Sequence, residues 1–320
     1  MFLTDIKPDS RKVTLAFSDE SGYYAVGIDL LTGKLSACTP KPQPPDMTLP
    51  SPSGRLRIRC FDEGDGFTIE TSAGKRTATI KGKDMVYPLA WSADESVVYY
   101  DRSYFGSDAK DGVHIYDIKS GTSRLLILGD ASSIENSPDK RCTAFILKKS
   151  SQDRNGILAV FDGRTFKKVR SVGAHVSVFT FSPDGKRIAY TELVKDEYGD
   201  LASTALRVLN IKTGRTNTLL TNRRKLIYVW AGNDSLLATV KDKYSIPSLV
   251  LVTLSGKKMV LTRNPKAGFM KPFAYLPGRK RAIYKTTSSA YEYEAPEELW
   301  AVEPGHAPIR LFPVKGAGHE

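Results

Sequence analysis

The chain reads as an all-β protein, a seven-bladed β-propeller of four-stranded antiparallel blades. Three observations predict it. A turn of the type Ser-Pro-Asp-Gly recurs at nearly constant spacing. A second turn signal, ending in Gly followed by a polar residue, recurs in phase with the first. Between them lie short runs of alternating apolar and polar residues, and no stretch has useful helical periodicity.

The clearest unit is "FSPDGKRIAYTEL" at residues 181–193. Pro presets φ for the first central position of a turn, Asp bonds its own backbone, and Gly supplies a left-handed conformation. The alternation that follows is that of a half-buried strand. Degraded copies begin at Lys7, Ser51, Ser92, Ser137, Ser182, Gly232 and Leu276, so successive starts lie 41–50 residues apart. The second signal appears as "DLLTGK" at Asp29, "TSAGK" at Thr71, "DIKSGT" at Asp117, "NIKTGR" at Asn210, "TLSGKK" at Thr253 and "VEPGHA" at Val302. "FDGRTFKK" at Phe161 fills the remaining slot less well.

A period near 45 with four short strands per repeat is a propeller signature. Each repeat is expected to run strand a, the first turn, strand b, a loop, strand c, the second turn, strand d. The expected blades are 1–40, 46–82, 85–129, 131–172, 174–221, 225–263 and 269–313, within one domain spanning 1–320. The Pro-dense "KPQPPDMTLP" at 41–50 is a stiff connector between the first two.

"FSPDGKRIAY" followed by "LRVLNIKTGR", and "WSADESVVYY" with "VHIYDIKSGT", resemble the TolB-type, WD40-like propeller repeat. The resemblance implies six to eight blades. It covers the chain but is strong only in the third and fifth repeats. Members of that family include periplasmic interaction modules, gating domains of prolyl-oligopeptidase-like peptidases, and some enzymes. The repeat motif is structural and assigns no catalytic residue to this sequence.

Composition narrows the function classes. With 41% hydrophobic residues the chain can bury a sizeable core. No apolar run is long enough to span a membrane as a helix. No leader pattern is visible, so the expected compartment is the cytoplasm, or the periplasm if a leader has been removed. The three cysteines, Cys38, Cys60 and Cys142, fall in different repeats and read as buried free thiols. There is no HExxH, GxSxG, Walker loop or CxxC, and no cofactor is implied.

Two faces differ in chemistry. The b–c loops of repeats three, four, five and seven are long. Long loops on a rigid scaffold are where binding residues concentrate. Tyr104, Phe105, Tyr198, Tyr244, Tyr291 and Tyr293 are assigned to this side as anchors for a protein or peptide partner. The turn side carries Arg11, Arg55, Arg141, Lys186, Arg187 and Arg281, a basic face suited to an acidic partner; the net charge is +12. Aromatic interleaving is missing there, so nucleic acid is not the expected ligand.

The favoured reading is thus a non-catalytic, protein- or peptide-binding propeller. An alternative remains open. Strand a starts at the channel mouth carry Asp84, Asp130 and His175, a set that suits a divalent metal in a hydrolase or lyase acting on a sugar or lactone.

Overall fold

The computed structural model describes residues 2–5, 12–19, 22–29, 39–41, 48–61, 64–82, 85–103, 112–148, 153, 155–195, 201–224, 226–287 and 297–313. Among them lie 27 β-strands, one 3-10 turn at Pro277–Arg279, and no α-helix. The strands form five four-stranded sheets and one of seven strands.

The first sheet holds β1 (Phe2–Asp5), β2 (Lys12–Asp19), β3 (Gly22–Asp29) and β4 (Thr39–Lys41); the second holds β5 (Thr48–Pro50), β6 (Leu56–Cys60), β7 (Gly66–Thr71) and β8 (Arg76–Lys81). The third contains β9 (Met85–Trp91), β10 (Val97–Ser103), β11 (Gly112–Asp117) and β12 (Thr122–Leu128). The seven-stranded sheet runs β13 (Asp130–Asn136), β14 (Cys142–Lys148), β15 (Gly156–Asp162), β16 (Lys168–Phe181), β17 (Arg187–Lys195), β18 (Leu201–Asn210) and β19 (Thr216–Asn222). Then come β20 (Ile227–Trp230), β21 (Ser235–Lys241), β22 (Pro247–Thr253) and β23 (Lys258–Arg263), and finally β24 (Phe269–Leu276), β25 (Arg281–Thr287), β26 (Glu297–Val302) and β27 (Ile309–Pro313). Strand neighbours in space are neighbours in sequence throughout, and hairpins such as β10–β11, β21–β22 and β25–β26 are antiparallel.

The residues group into two compact units: Pro44–Leu193 with Arg207–Thr216, and Met1–Gln43 with Val194–Leu206 and Asn217–Glu320. In the first unit, alternation puts two apolar faces on the third sheet. Val98 and Tyr100 pack with Ile58, Phe67 and Ile69 of the second sheet. Val97 and Tyr99 pack with Phe145, Ala159 and Phe161 of the next. Both sides are therefore buried, which is why "VVYY" is a continuous apolar run rather than an alternating one. In the second unit, Leu237 and Leu249 pack with Met270, Ala282 and Tyr284 in the same way.

The predicted turns close as their chemistry demands. Buried Ser51, Ser92, Ser137 and Ser182 each accept, through Oγ, the backbone N–H five residues on, at 3.2, 3.0, 2.9 and 3.0 Å. In the last three the same hydroxyl donates to Asp94, Asp139 or Asp184, at 2.8, 2.7 and 2.6 Å. The fourth turn position is left-handed: Gly54 and Gly185 have φ of 72° and 69°, but Glu95 and Lys140 adopt 62° and 60° there. A side chain in that region is strained, so these two repeats hold the turn without glycine's freedom.

The two turn signals are in phase because they touch. Ser72 N–H donates to Arg55 O at 2.9 Å, Ile118 to Ser96 at 2.9 Å, Gly163 to Arg141 at 2.7 Å, Ile211 to Lys186 at 3.1 Å and Leu254 to Asp234 at 2.9 Å. In five repeats the second turn is thus pinned to the first.

One turn and one strand take forms that the repeat signals do not show. The slot at Phe161 is a regular turn: Asp162 Oδ1 accepts the N–H groups of Arg164 and Thr165 at 3.0 and 2.7 Å. Phe166 takes the left-handed position at φ 56°, where Gly121 and Gly214 stand in other repeats. Its ring sits edge-on to Tyr99 at 6.3 Å, a contact that stands in for glycine's freedom. The expected boundary between blades at residues 172 and 174 falls inside one continuous strand, β16. Apolar alternation carries the strand straight through, and Gly173, at φ 72°, bends it where its partner changes. Residues 168–172 and Val176 pair with β15, and 176–181 pair with β17.

Candidate binding surfaces

Within each four-stranded sheet the first and third connections leave one end and the second connection leaves the other, since consecutive strands are antiparallel neighbours. The Ser-Asp turns and their pinned partners occupy the first end. Arg55, Arg141, Lys186 and Arg187 lie in these turns or at the strand start that follows. The side chains of Arg55 and Arg141 are 81% and 82% exposed, with Glu95 and Asp139 at 3.8 and 3.7 Å. Such pairs are worth little and leave the cations available to solvent. Arg187 leans on Asp184 at 3.9 Å. Arg281 differs: only 8% exposed, it donates through Nε to Glu303 at 2.8 Å. Its charge serves the interior of its own sheet. Arg11 lies outside the described residues.

The carboxylates of these turns are held ionised by the bonds they accept. Backbone and hydroxyl donors from Ser120 keep Asp117 below the usual carboxylate range, and donors from Thr165 and Arg164 do the same for Asp162. For Asp184, burial pushes upward, but the Ser182 hydroxyl, the Lys186 N–H and the Arg187 charge together pull it below normal.

Of the aromatics assigned to the other end, Tyr104, Phe105, Tyr198, Tyr291 and Tyr293 lie outside the described residues. Tyr244 is described, and its setting differs from the long loop expected. It stands in a tight β21–β22 turn in which Asp242 Oδ1 accepts the N–H groups of Tyr244 and Ile246 at 2.9 and 3.0 Å. An Asx turn of this kind needs few residues. The ring is 70% exposed, with the Lys243 ammonium 4.9 Å from its centroid.

Of the alternative metal set, Asp84 lies outside the described residues; Asp130 begins β13 and His175 lies within β16. Among the described residues no three His, Cys, Asp or Glu side chains group closely enough to hold a metal ion. Among them, too, no helix is long and apolar enough to cross a membrane.

Inner-strand links at the repeat spacing were not foreseen. Trp91 Nε1 donates to Leu49 O at 3.0 Å, Asn136 Nδ2 to Trp91 O at 2.7 Å, and Phe181 N–H to Glu135 at 3.3 Å. The first two links stitch successive sheets through their first strands, and the third ties β16 to β13 within the seven-stranded sheet.

A cavity of about 420 Å3 was also missed. It opens on the polar face of β6–β8. The register sets Arg57 opposite Glu70 and Arg59 opposite Thr68, while Ile58, Ile69 and Phe67 take the other face. Thr68 and Glu70 are buried at its floor; Arg59, Arg76 and Lys81 surround them, and Phe61, Asp65 and Cys60 complete the lining. The only trace in the sequence is the alternation "LRIRC", which does not say what stands opposite each arginine.

No protein-family model matches the chain, and no curated protein sequence matches it. Solved structures do. An oligogalacturonate lyase in complex with manganese aligns over 92% of this chain and 86% of its own, at 13% identity and a TM-score of 0.54. The tricorn protease aligns over 94% of this chain and 38% of its own, at 11% identity and a TM-score of 0.53; this chain thus spans well under half of that protein. The β-propeller domain of Cps50 (Swd1) from Myceliophteria thermophila aligns over 87% of this chain and 89% of its own, at 10% identity and a TM-score of 0.46. At such identities the likeness defines the fold alone. The chain is a β-propeller protein.

Proposed function

We propose that the chain is a seven-bladed propeller of TolB-type, WD40-like repeats that serves as a non-catalytic scaffold for a protein or peptide. Five four-stranded sheets supply five blades. The seven-stranded sheet reads as two more sharing β16. Ala144, Ile146 and Leu158 from one half pack in a single cluster with Phe179, Ile188 and Tyr190 from the other. Strands that far apart in a flat sheet do not touch, so the sheet folds back on itself at the strand whose partners change.

The observation that carries the functional reading is the contrast between the two ends of the sheets. At the turn end, serines, aspartates and backbone groups bond to one another. At the other end Tyr244 presents an exposed ring, and the sequence assigns Tyr104, Phe105, Tyr198, Tyr291 and Tyr293 to the same set of connections. Aromatic side chains held on a rigid scaffold are frequent hot spots of interfaces.

Affinity capture from native lysate tests the reading, with wild type compared against Tyr244→Ala and against Tyr291→Ala combined with Tyr293→Ala. Truncating an anchor weakens a complex by about 2 kcal/mol or more. The expected result is loss of a partner that Lys186→Ala with Arg187→Ala retains. Loss in the turn-side variant alone overturns the assignment. In that case the basic turns hold an acidic partner, and binding falls steeply with salt.

A further inference from the structure

We propose that the cavity on the polar face of β6–β8 binds a small organic anion carrying a carboxylate or phosphate group. Its volume of about 420 Å3 falls within the range of small-molecule sites. A folded partner would not enter it.

The lining is unbalanced in charge. Arg59, Arg76 and Lys81 contribute three cations, and Asp65 and Glu70 two carboxylates. Glu70 is already engaged: Arg57, outside the lining, donates to its Oε2 through Nε and Nη2 at 3.3 and 3.2 Å. Arg57 thereby offsets Glu70, and Asp65 is left against three cations. Among the described residues no carboxylate lies within ion-pair distance of Arg59, Arg76 or Lys81.

The placement suits a ligand. The cationic side chains stand on three edges of a buried polar floor rather than on a convex surface. Arg59 comes from β6, and Arg76 and Lys81 come from opposite ends of β8. Two guanidinium groups offer forked donors for a carboxylate or phosphate. The Lys81 ammonium lies 5.0 Å from the Phe61 ring centroid, which fixes one wall. The Thr68 hydroxyl donates to Glu70 Oε1 at 3.4 Å, so Thr68 and Asp65 both offer acceptors for hydroxyl groups on the body of the ligand. This reading stands apart from partner binding and does not depend on it.

Titration calorimetry with citrate, glycerol 3-phosphate and neutral glycerol is the test. At least one anion is expected to bind with Kd of about 1 mM or tighter, and glycerol is not. Citrate or glycerol 3-phosphate as the tighter ligand tells a carboxylate site from a phosphate site, and either supports the proposal. Arg59→Gln and Arg76→Gln, both on exposed side chains, should each weaken it about tenfold, the loss of one charge-assisted bond. Arg141→Gln, on a remote turn, should not. The proposal is overturned if neither anion binds in that range, if all three arginine variants weaken binding alike, as attraction to the net charge would, or if glycerol binds as well.

Discussion

Replacing Ser182 with Ala isolates the device that sets the repeat. Ser182 is fully buried, and its hydroxyl does two things at once. It accepts the Arg187 N–H at 3.0 Å and donates to the Asp184 carboxylate at 2.6 Å. Losing the neutral bond costs about 0.5–1.5 kcal/mol, and a bond to a charged group about 1.5–3 kcal/mol. Asp184 keeps the Lys186 N–H at 3.1 Å, which recovers part of the second term. The expected loss is about 2–3 kcal/mol, with no volume change large enough to open a cavity. Asp184→Asn keeps shape and an acceptor while removing charge, and should cost about 1 kcal/mol. Urea unfolding of the full chain, followed by far-ultraviolet circular dichroism, gives each value. A double-mutant cycle of Ser182→Ala with Asp184→Ala should show coupling of about 1 kcal/mol. A Ser182→Ala loss below about 0.5 kcal/mol, the range of inert surface changes, refutes the reasoning, as does an additive cycle.

Three further outcomes follow from the same geometry. Lys140→Gly removes a side chain from a left-handed position and should stabilise by about 0.5–1 kcal/mol, the strain relieved less the added freedom of the unfolded chain; a lower urea midpoint would contradict it. Tyr99→Phe removes the hydroxyl that meets Thr143 Oγ1 at 3.1 Å between two sheets and should cost about 1 kcal/mol, while the titration of Tyr99, pushed up to about 12 by burial, disappears from the alkaline ultraviolet difference spectrum. Burial raises the Glu135 carboxyl above its ordinary value, against the Phe181 and Thr180 donors, so folding favours its protonated form. That contribution is full below about pH 4.3 and is lost as pH rises through the raised folded value, so the advantage of Glu135→Gln over wild type should grow as pH rises above about 4.3; a constant difference would refute it.

Local chemistry made the turns legible. Ser182 braces Asp184 and Arg187 within six residues of chain, so "SPDG" determines its own geometry wherever it falls, and its recurrence gave the propeller class and the strand order. The same locality explains Asp117 and Asp162, whose bonds run to residues two or three positions on. Phe166 in glycine's position, and the unbroken β16, were decided by packing and pairing that the turn signals do not encode. Trp91 on Leu49, Tyr99 on Thr143 and Phe181 on Glu135 join residues a whole repeat apart. Which side chains meet at that separation depends on the register of each strand and the stacking of one sheet on the next. The cavity shows the difference most plainly. "LRIRC" determined that two arginines share a face, but only the pairing of β6, β7 and β8 set Arg59, Arg76 and Lys81 around Thr68 and Glu70. A turn is specified by the few residues that form it, whereas a site is specified by strands that must first find one another.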